Sequence, residues 1–344
     1  MKAGIYHGLH DVSVEELPKP ELIPGSIVIK NVRAGICGTD LHAYGLEYEG
    51  VCIYPGNQFG HEMVGVVDEV ADGVTDFKKG DFVFVNPCTF KDPTPERGTL
   101  ANCDMAGAFS QYVRVDRPRE NYNVFKLDPG LSPNVAALIE PVSVALNGIE
   151  IAHPKPGDKV LIYGGGIIGL CALACLGCLG FDDVVVTARN DFRCGKVTEM
   201  GGVLCDTRKQ SIPEFVIDHW GSLTGNSSEK TWNADLVIDC GGWKGCIEEM
   251  MKYAKAGSAI SEVSLGISEE KITASQLACK AIRIYGSFAY TPEVNSRAIA
   301  MITENPERFA PIVTAVYGLS QLPEAFEAAS NSHKNVKVLI DHTK

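Results

Sequence analysis

"KVLIYGGGIIGLCALACLGCLGFDDVVVTARNDFR", residues 159–193, decides the fold. Val160–Tyr163 is a short apolar run closed by glycine, the pattern of a strand buried on both faces. Glycines follow at 164, 166 and 169, the spacing G-x-G-x-x-G, and an apolar helical stretch follows them. The spacing alone is a weak signal. Placed between a buried strand and a helix start, it becomes a dinucleotide-binding fingerprint. Gly164 permits the tight turn, Gly166 lets the backbone approach a pyrophosphate, and Gly169 lets helix and strand pack closely. Ile167 and Ile168 open the helix, whose free N–H groups and positive dipole end face the phosphates.

The next buried strand, "VVVTA", ends where the dinucleotide is usually told apart. A carboxylate there bonds the ribose hydroxyls of NAD. This chain has Ala188 at that position and Arg189 beside it, with Arg193 one helical turn further on. A guanidinium attracts a 2′-phosphate that a carboxylate would repel. NADP(H) is therefore expected in preference to NAD(H). In the competing reading Asp191 takes the acidic role and both arginines are solvated.

Outward from this stretch the chain divides in two. Before about residue 146 it reads as short strands and turns, with alternating "SIVIKNVRAGIC" (26–37) and "EMVGVVDEV" (62–70) punctuated by Gly and Pro. Residues 1–146 are expected to form a β-rich, partly open barrel. Residues 147–290 read as apolar strands alternating with helices, a parallel sheet covered on both faces. Strands are expected at "ADLVIDCGG" (234–242), "SAISEVSLG" (258–266) and "AIRIYGSFAY" (281–290), and "LTGNSSEKTWN" (223–233) reads as a surface loop. Residues 291–344 return to helix, strand, helix, strand and are expected to complete the first domain.

Of the 344 residues, 45% are hydrophobic and 22% charged, enough apolar material for two cores. The net charge of −12, with no basic run, argues against nucleic acid or an anionic membrane as partner. The most apolar stretch, residues 166–181, is short for a bilayer span and holds four glycines, so a buried helix is expected. No signal-peptide pattern follows Met1, and a cytoplasmic protein is expected. Twelve cysteines then read as free thiols rather than disulfides. Cys171, Cys175 and Cys178 share one helical face, as core residues do.

Three further pieces carry chemistry. "GICGTDLHAYG" (35–45) sets a thiol, a hydroxyl and an imidazole close together, "GHE" occupies 60–62, and "IEP" occupies 139–141. A catalytic zinc commonly takes three protein ligands and leaves one position open. Cys37, His61, Glu62 and Glu140 are the available ligands, although spacing alone does not bring them together. Each is unremarkable by itself; the combination with the glycine loop is specific.

With "GHEMVGVVDEVADGV", "KKGDFV", "GAFSQYV", "LIEPVSVALNGIE" and "PKPGDKVLIYGGGIIG" in order along nearly the whole chain, the sequence resembles the zinc-dependent medium-chain dehydrogenases, the alcohol, polyol and threonine dehydrogenase group. The resemblance implies an α/β fold: a GroES-like β-rich catalytic domain and a Rossmann cofactor domain with a doubly wound parallel sheet. It implies that Cys37 and His61 ligate zinc, with Glu62 or Glu140 as the carboxylate ligand. It implies that Thr39 bonds the substrate hydroxyl and that His42 relays the proton to solvent. The substrate would be a small alcohol or ketone, and a homodimer or homotetramer is the expected assembly.

Two departures qualify the resemblance. Many relatives hold a structural zinc in a lobe with four cysteines. The matching stretch, residues 86–112, keeps only Cys88 and Cys103, with Lys91 and Thr94 near the other two places. Two thiolates do not close a tetrahedral site, so one catalytic zinc and no structural zinc are expected. Polyol dehydrogenases of this type also tend to carry Phe-Arg-Tyr, the arginine bonding sugar hydroxyls. Here Phe288 and Tyr290 flank Ala289. Phe288 and Tyr290 stay as candidate substrate residues, and a small diol, hydroxyketone or modified sugar fits as well as a long polyol. Two rival readings remain: a zinc-free quinone or alkene reductase, and a non-catalytic cofactor sensor on the same fold.

Overall fold

The computed structural model describes residues 1–45, 53–87, 107–224, 230–266 and 269–344. The chain forms two compact units, residues 1–140 with 290–344 and residues 141–289.

In the second unit six strands lie parallel in the order 203–206, 184–188, 160–163, 236–239, 259–262, 283–286. The strand that precedes the glycine loop is central, and the strand order reverses between it and 236–239. In such sheets a ligand binds at this reversal, beyond the carboxyl ends of the strands. Val160–Tyr163 and Leu236–Asp239 are buried at every position, because helices cover both faces. One face packs Leu161, Tyr163, Val185 and Val237 against Trp232 and Met250. Helix Ile167–Cys178 is apolar on all sides and buried from Gly169 to Leu176, which accounts for the most apolar stretch of the sequence. Cys171 and Cys175 are buried in it, and neither is in a disulfide. Among the described residues no helix is long and apolar enough to cross a membrane.

Of the stretch expected as a surface loop, residues 225–229 lie outside the described residues, and its flanks belong to a small antiparallel ribbon, with Ser222–Thr224 paired to Lys230–Trp232. Three-residue strands are too short to show alternation. The ribbon exists because Trp232, fully buried, anchors one side of it in the core.

In the first unit, strands 313–318, 337–341, 26–35, 62–70, 82–85 and 124–126 form one sheet in that order, and 112–116 also pairs with 26–35. A second sheet joins 11–16, 2–8 and 57–58. The core is aromatic: Phe59, Phe109 and Phe326 meet with ring centroids 4.9–5.7 Å apart. Cys88, Lys91, Thr94 and Cys103, on which the absence of a structural zinc was argued, lie outside the described residues.

Candidate active site

Strands Ser26–Gly35 and Glu62–Val70 run antiparallel, with Gly35 opposite Glu62. Strand Lys337–Asp341 flanks Gly35 on its other side. Cys37, two residues past Gly35, therefore meets His61, Glu62 and Lys337 at one end of three adjacent strands. The Cys37 sulfur, a His61 ring nitrogen and a Glu62 carboxylate oxygen all lie within 4.8 Å of one another. Gly35 makes the arrangement possible: a Cβ there would collide with the Glu62 carboxylate and press on the Lys337 side chain.

Buried groups around this cluster orient it. Lys337 pairs with Glu62, both only 1% exposed, and its ammonium also donates to the Ile36 carbonyl at 2.9 Å. Asp40 is fully buried. Its Oδ2 accepts the Cys37 N–H at 2.9 Å, while its Oδ1 lies 3.9 Å from His61 Nδ1. Glu140, in the first turn of helix Ile139–Glu150, accepts the Tyr290 hydroxyl at 2.9 Å. It stands outside the 4.8 Å cluster. The Tyr290 hydroxyl is thus engaged with Glu140, whereas Phe288 is 51% exposed and Ala289 adopts φ +53°.

The charges around the cluster are unbalanced. Burial, aided by Glu62, lifts the Glu140 carboxyl to about 7, and burial lifts Asp40 to about 6. Burial pushes the Cys37 thiol up despite the pull of His61. For His61, burial acts downward, but Cys37, Asp40 and Glu140 outweigh it and hold the imidazole well above its ordinary value. Four acidic groups thus surround one ammonium and one imidazole. A divalent cation between thiolate, imidazole and carboxylate would restore the balance, and the N, O and S donors are those zinc accepts. Thr39 and His42 lie three residues apart on helix Gly38–Gly45, hence on one side of it. The Cys37 thiol donates to the Thr39 hydroxyl at 3.7 Å.

In the second unit Gly164 has φ +98°, which a side chain would strain, and a Cβ on Gly169 would collide with the Gly164 carbonyl. Gly166 caps the helix that Ile167 and Ile168 begin, and among the described residues nothing beyond its chain neighbours lies within 4 Å of where its Cβ would be. The loop therefore leaves open backbone at a helix N-terminus. Ala188 ends its strand buried, and Arg189 is exposed. Asn190 caps the following helix by accepting the Arg193 N–H at 2.9 Å. The Arg193 guanidinium is depressed by burial and by Arg189, and its buried Nε has no hydrogen-bond partner among the described residues. Asp191 is taken up by Arg208 at 2.8 Å, and Arg208 also forks onto Asp206.

Asp40 and Lys337 were not among the expected site residues. Asp40 is legible in hindsight inside "CGTD". Lys337 bonds a carbonyl 301 residues away and carries no local signal.

Residues 23–128 match the alcohol dehydrogenase GroES-like domain, and residues 168–304 match the zinc-binding dehydrogenase family. The chain is 27% identical to (R,R)-butanediol dehydrogenase of Bacillus subtilis (strain 168), covering 99% of both chains. It is 30% identical to L-threonine 3-dehydrogenase of Bacillus velezensis, covering 74% of this chain and 73% of that one. The crystal structure of 2R,3R-butanediol dehydrogenase from Bacillus subtilis superposes with a TM-score of 0.84 over 99% of both chains, at 25% identity. The two family models match in sequence order along the two units, a relative 30% identical covers nearly three quarters of the chain, and the chain belongs to the zinc-dependent medium-chain alcohol and polyol dehydrogenase family.

Proposed function

We propose that the protein interconverts a small secondary alcohol or vicinal diol and its ketone, with one zinc per chain as Lewis acid and NADP(H) as hydride partner. The observation that carries this reading is the Cys37, His61 and Glu62 cluster, three ligand atoms of a kind and proximity suited to zinc. Its relatives act on butanediol and threonine by name, both small hydroxyl compounds. Ala289 offers no hydrogen-bonding group to a long polyol.

Zinc in this cluster would supply Lewis acidity that lowers the pKa of an alcohol hydroxyl. Cys37, His61 and Glu62 would hold it, and the Asp40 carboxylate, 3.9 Å from His61 Nδ1, would help orient the imidazole. Lys337 fixes the Glu62 carboxylate from behind. The Thr39 Oγ1 accepts the substrate proton, and His42 passes it to solvent. Glu140, held by Tyr290, adds negative charge near the cluster without belonging to it. The glycine loop would hold the dinucleotide phosphates, and the dinucleotide would supply the hydride acceptor.

The cofactor preference rests on Arg189 and Arg193. They lie close together, Arg193 keeps a buried donor without an acceptor among the described residues, and Asp191 is occupied by Arg208. An anion is the missing partner, and a 2′-phosphate fits it. Arg189→Ala should weaken NADP about ten- to hundredfold and spare NAD, from the cost of one charged hydrogen bond. Ala188→Asp should turn the preference toward NAD. Steady-state kinetics over a panel of secondary alcohols, diols, polyols and sugar phosphates, with both cofactors and with metal analysis, tests the whole reading. Equal or better catalytic efficiency with NAD would remove the cofactor assignment. A fully active protein without zinc would remove the mechanism.

A further inference from the structure

The sequence "DCGGWKG", residues 239–245, follows the strand on the far side of the reversal from Arg189. It carries Trp243, 40% exposed, while Trp220 and Trp232 are buried. An indole is costly to leave in water, and this one is held there by construction. It stacks on Tyr163, the residue just before the glycine loop, with centroids 5.2 Å apart and an interplanar angle of 18°. The Tyr163 hydroxyl is fixed by Glu249 at 2.9 Å. The turn is clamped at both ends: Asp239 Oδ1 accepts the N–H groups of Gly241 and Gly242 at 2.8 and 3.1 Å, and Glu270 accepts that of Gly245 at 2.6 Å. Gly241 is required by the ring itself, since a Cβ there would stand inside van der Waals distance of the indole. The same glycine abuts Gly164 of the phosphate loop, whose Cβ would lie 3.0 Å from the Gly241 Cα.

We infer that Trp243 is a stacking platform for the adenine of the dinucleotide. The inference rests on the dinucleotide reading of the glycine loop. Strands are spaced about 4.8 Å apart, so the ends of strands 184–188 and 236–239 stand roughly 10 Å apart across the loop. The 2′-phosphate that Arg189 and Arg193 would bind is on the adenosine ribose, which places the base between those arginines and Trp243. Tyr163 covers one indole face, and the exposed part of the ring takes the base. Base–aromatic stacking is sequence-independent and depends on a rigid ring, which the clamped turn provides.

The test uses the full-length protein and two probes, NADP and 2′-phospho-ADP-ribose (called ADP-ribose below), which keeps the adenine half with its 2′-phosphate and lacks nicotinamide. Calorimetry on the unaltered protein comes first. If neither probe binds, the glycine-loop reading fails and the inference falls with it. If both bind, ADP-ribose should quench the tryptophan emission, because the only exposed indole among the three is Trp243. Trp243→Ala should weaken both probes about tenfold, and Trp243→Phe should restore most of the affinity. Thermal melts without ligand separate binding from folding. A folded Trp243→Ala with unchanged affinity overturns the inference, as does a loss seen with the dinucleotide and not with ADP-ribose. If the alanine variant does not fold, absence of quenching by bound ADP-ribose overturns it equally.

Discussion

An ammonium at 1% exposure has given up nearly all its water, and only fixed partners keep it charged. For Lys337 burial alone acts downward, yet Glu62 and Cys37 hold its pKa above the ordinary value. The pair is mutual: without Lys337 the buried Glu62 carboxylate loses its ion-pair partner, a loss that a metal ion would offset. Lys337→Met should therefore destabilise the chelator-treated protein by about 3–5 kcal/mol, and the zinc-loaded protein by clearly less. Denaturant melts with and without chelator measure both; equal losses would show that Glu62 does not face the ion. Cys37→Ser and His61→Ala should abolish zinc uptake and turnover while leaving dinucleotide affinity within about threefold, because the glycine loop belongs to the other unit. Metal analysis and calorimetry check this, and a parallel loss of dinucleotide binding would contradict it. Cys37, His61 and Glu62 were legible because each sits in a short, distinctive word. Which carboxylate joins thiolate and imidazole was not, because it depends on the register that sets Gly35 opposite Glu62.

Elements carry their own electrostatics. Asp239 and Glu262 are opposed in register at the carboxyl ends of adjacent parallel strands. Burial, with Asp239 beside it, lifts the Glu262 carboxyl to about 7. The folded protein thus holds a proton that the unfolded chain, with an ordinary glutamate near 4.3, releases earlier. The stability this proton confers is complete below the unfolded value and is lost as pH rises through about 7. Glu262→Gln mimics the protonated form. It should leave the melting temperature nearly unchanged at acidic pH and raise it at pH above 7, by an amount corresponding to about 1–2 kcal/mol. Melts across the pH range decide it; an equal shift at every pH would mean the carboxyl does not titrate in that window. The strand that carries Glu262 was read from its apolar run, but the run is bounded by polar residues and its end is blurred: residues 258–266 were expected and 259–262 are observed. The paired ribbon around Trp232 was missed for the opposite reason, since its strands are too short for a period to show.

At the scale of the whole molecule the chain leaves the first unit, builds the second, and returns. Its last strand, Lys337–Asp341, is no appendage. It is buried at all five positions and sits inside the sheet, parallel to 313–318 on one side and antiparallel to 26–35 on the other. The return was legible as a helix, strand, helix, strand pattern after residue 290. The insertion of its final strand beside Gly35 was not, because pairing across 300 residues leaves no local period. Val338, Leu339 and Ile340 each contribute about 1.5–3 kcal/mol by burial, a sum comparable to the net stability of a domain. Removing the strand also removes Lys337 and opens the backbone bonds of both neighbours. A chain ending at residue 332 should therefore fail to form the first unit and take up no zinc. The parallel sheet of residues 141–289 contains none of the deleted strand and has its own core. Hydrogen exchange should find amides of 160–163 and 236–239 still protected, and those of 26–35 and 62–70 exposed. A truncated chain that still bound one equivalent of zinc would show that the first 140 residues build the site without their distant last strand.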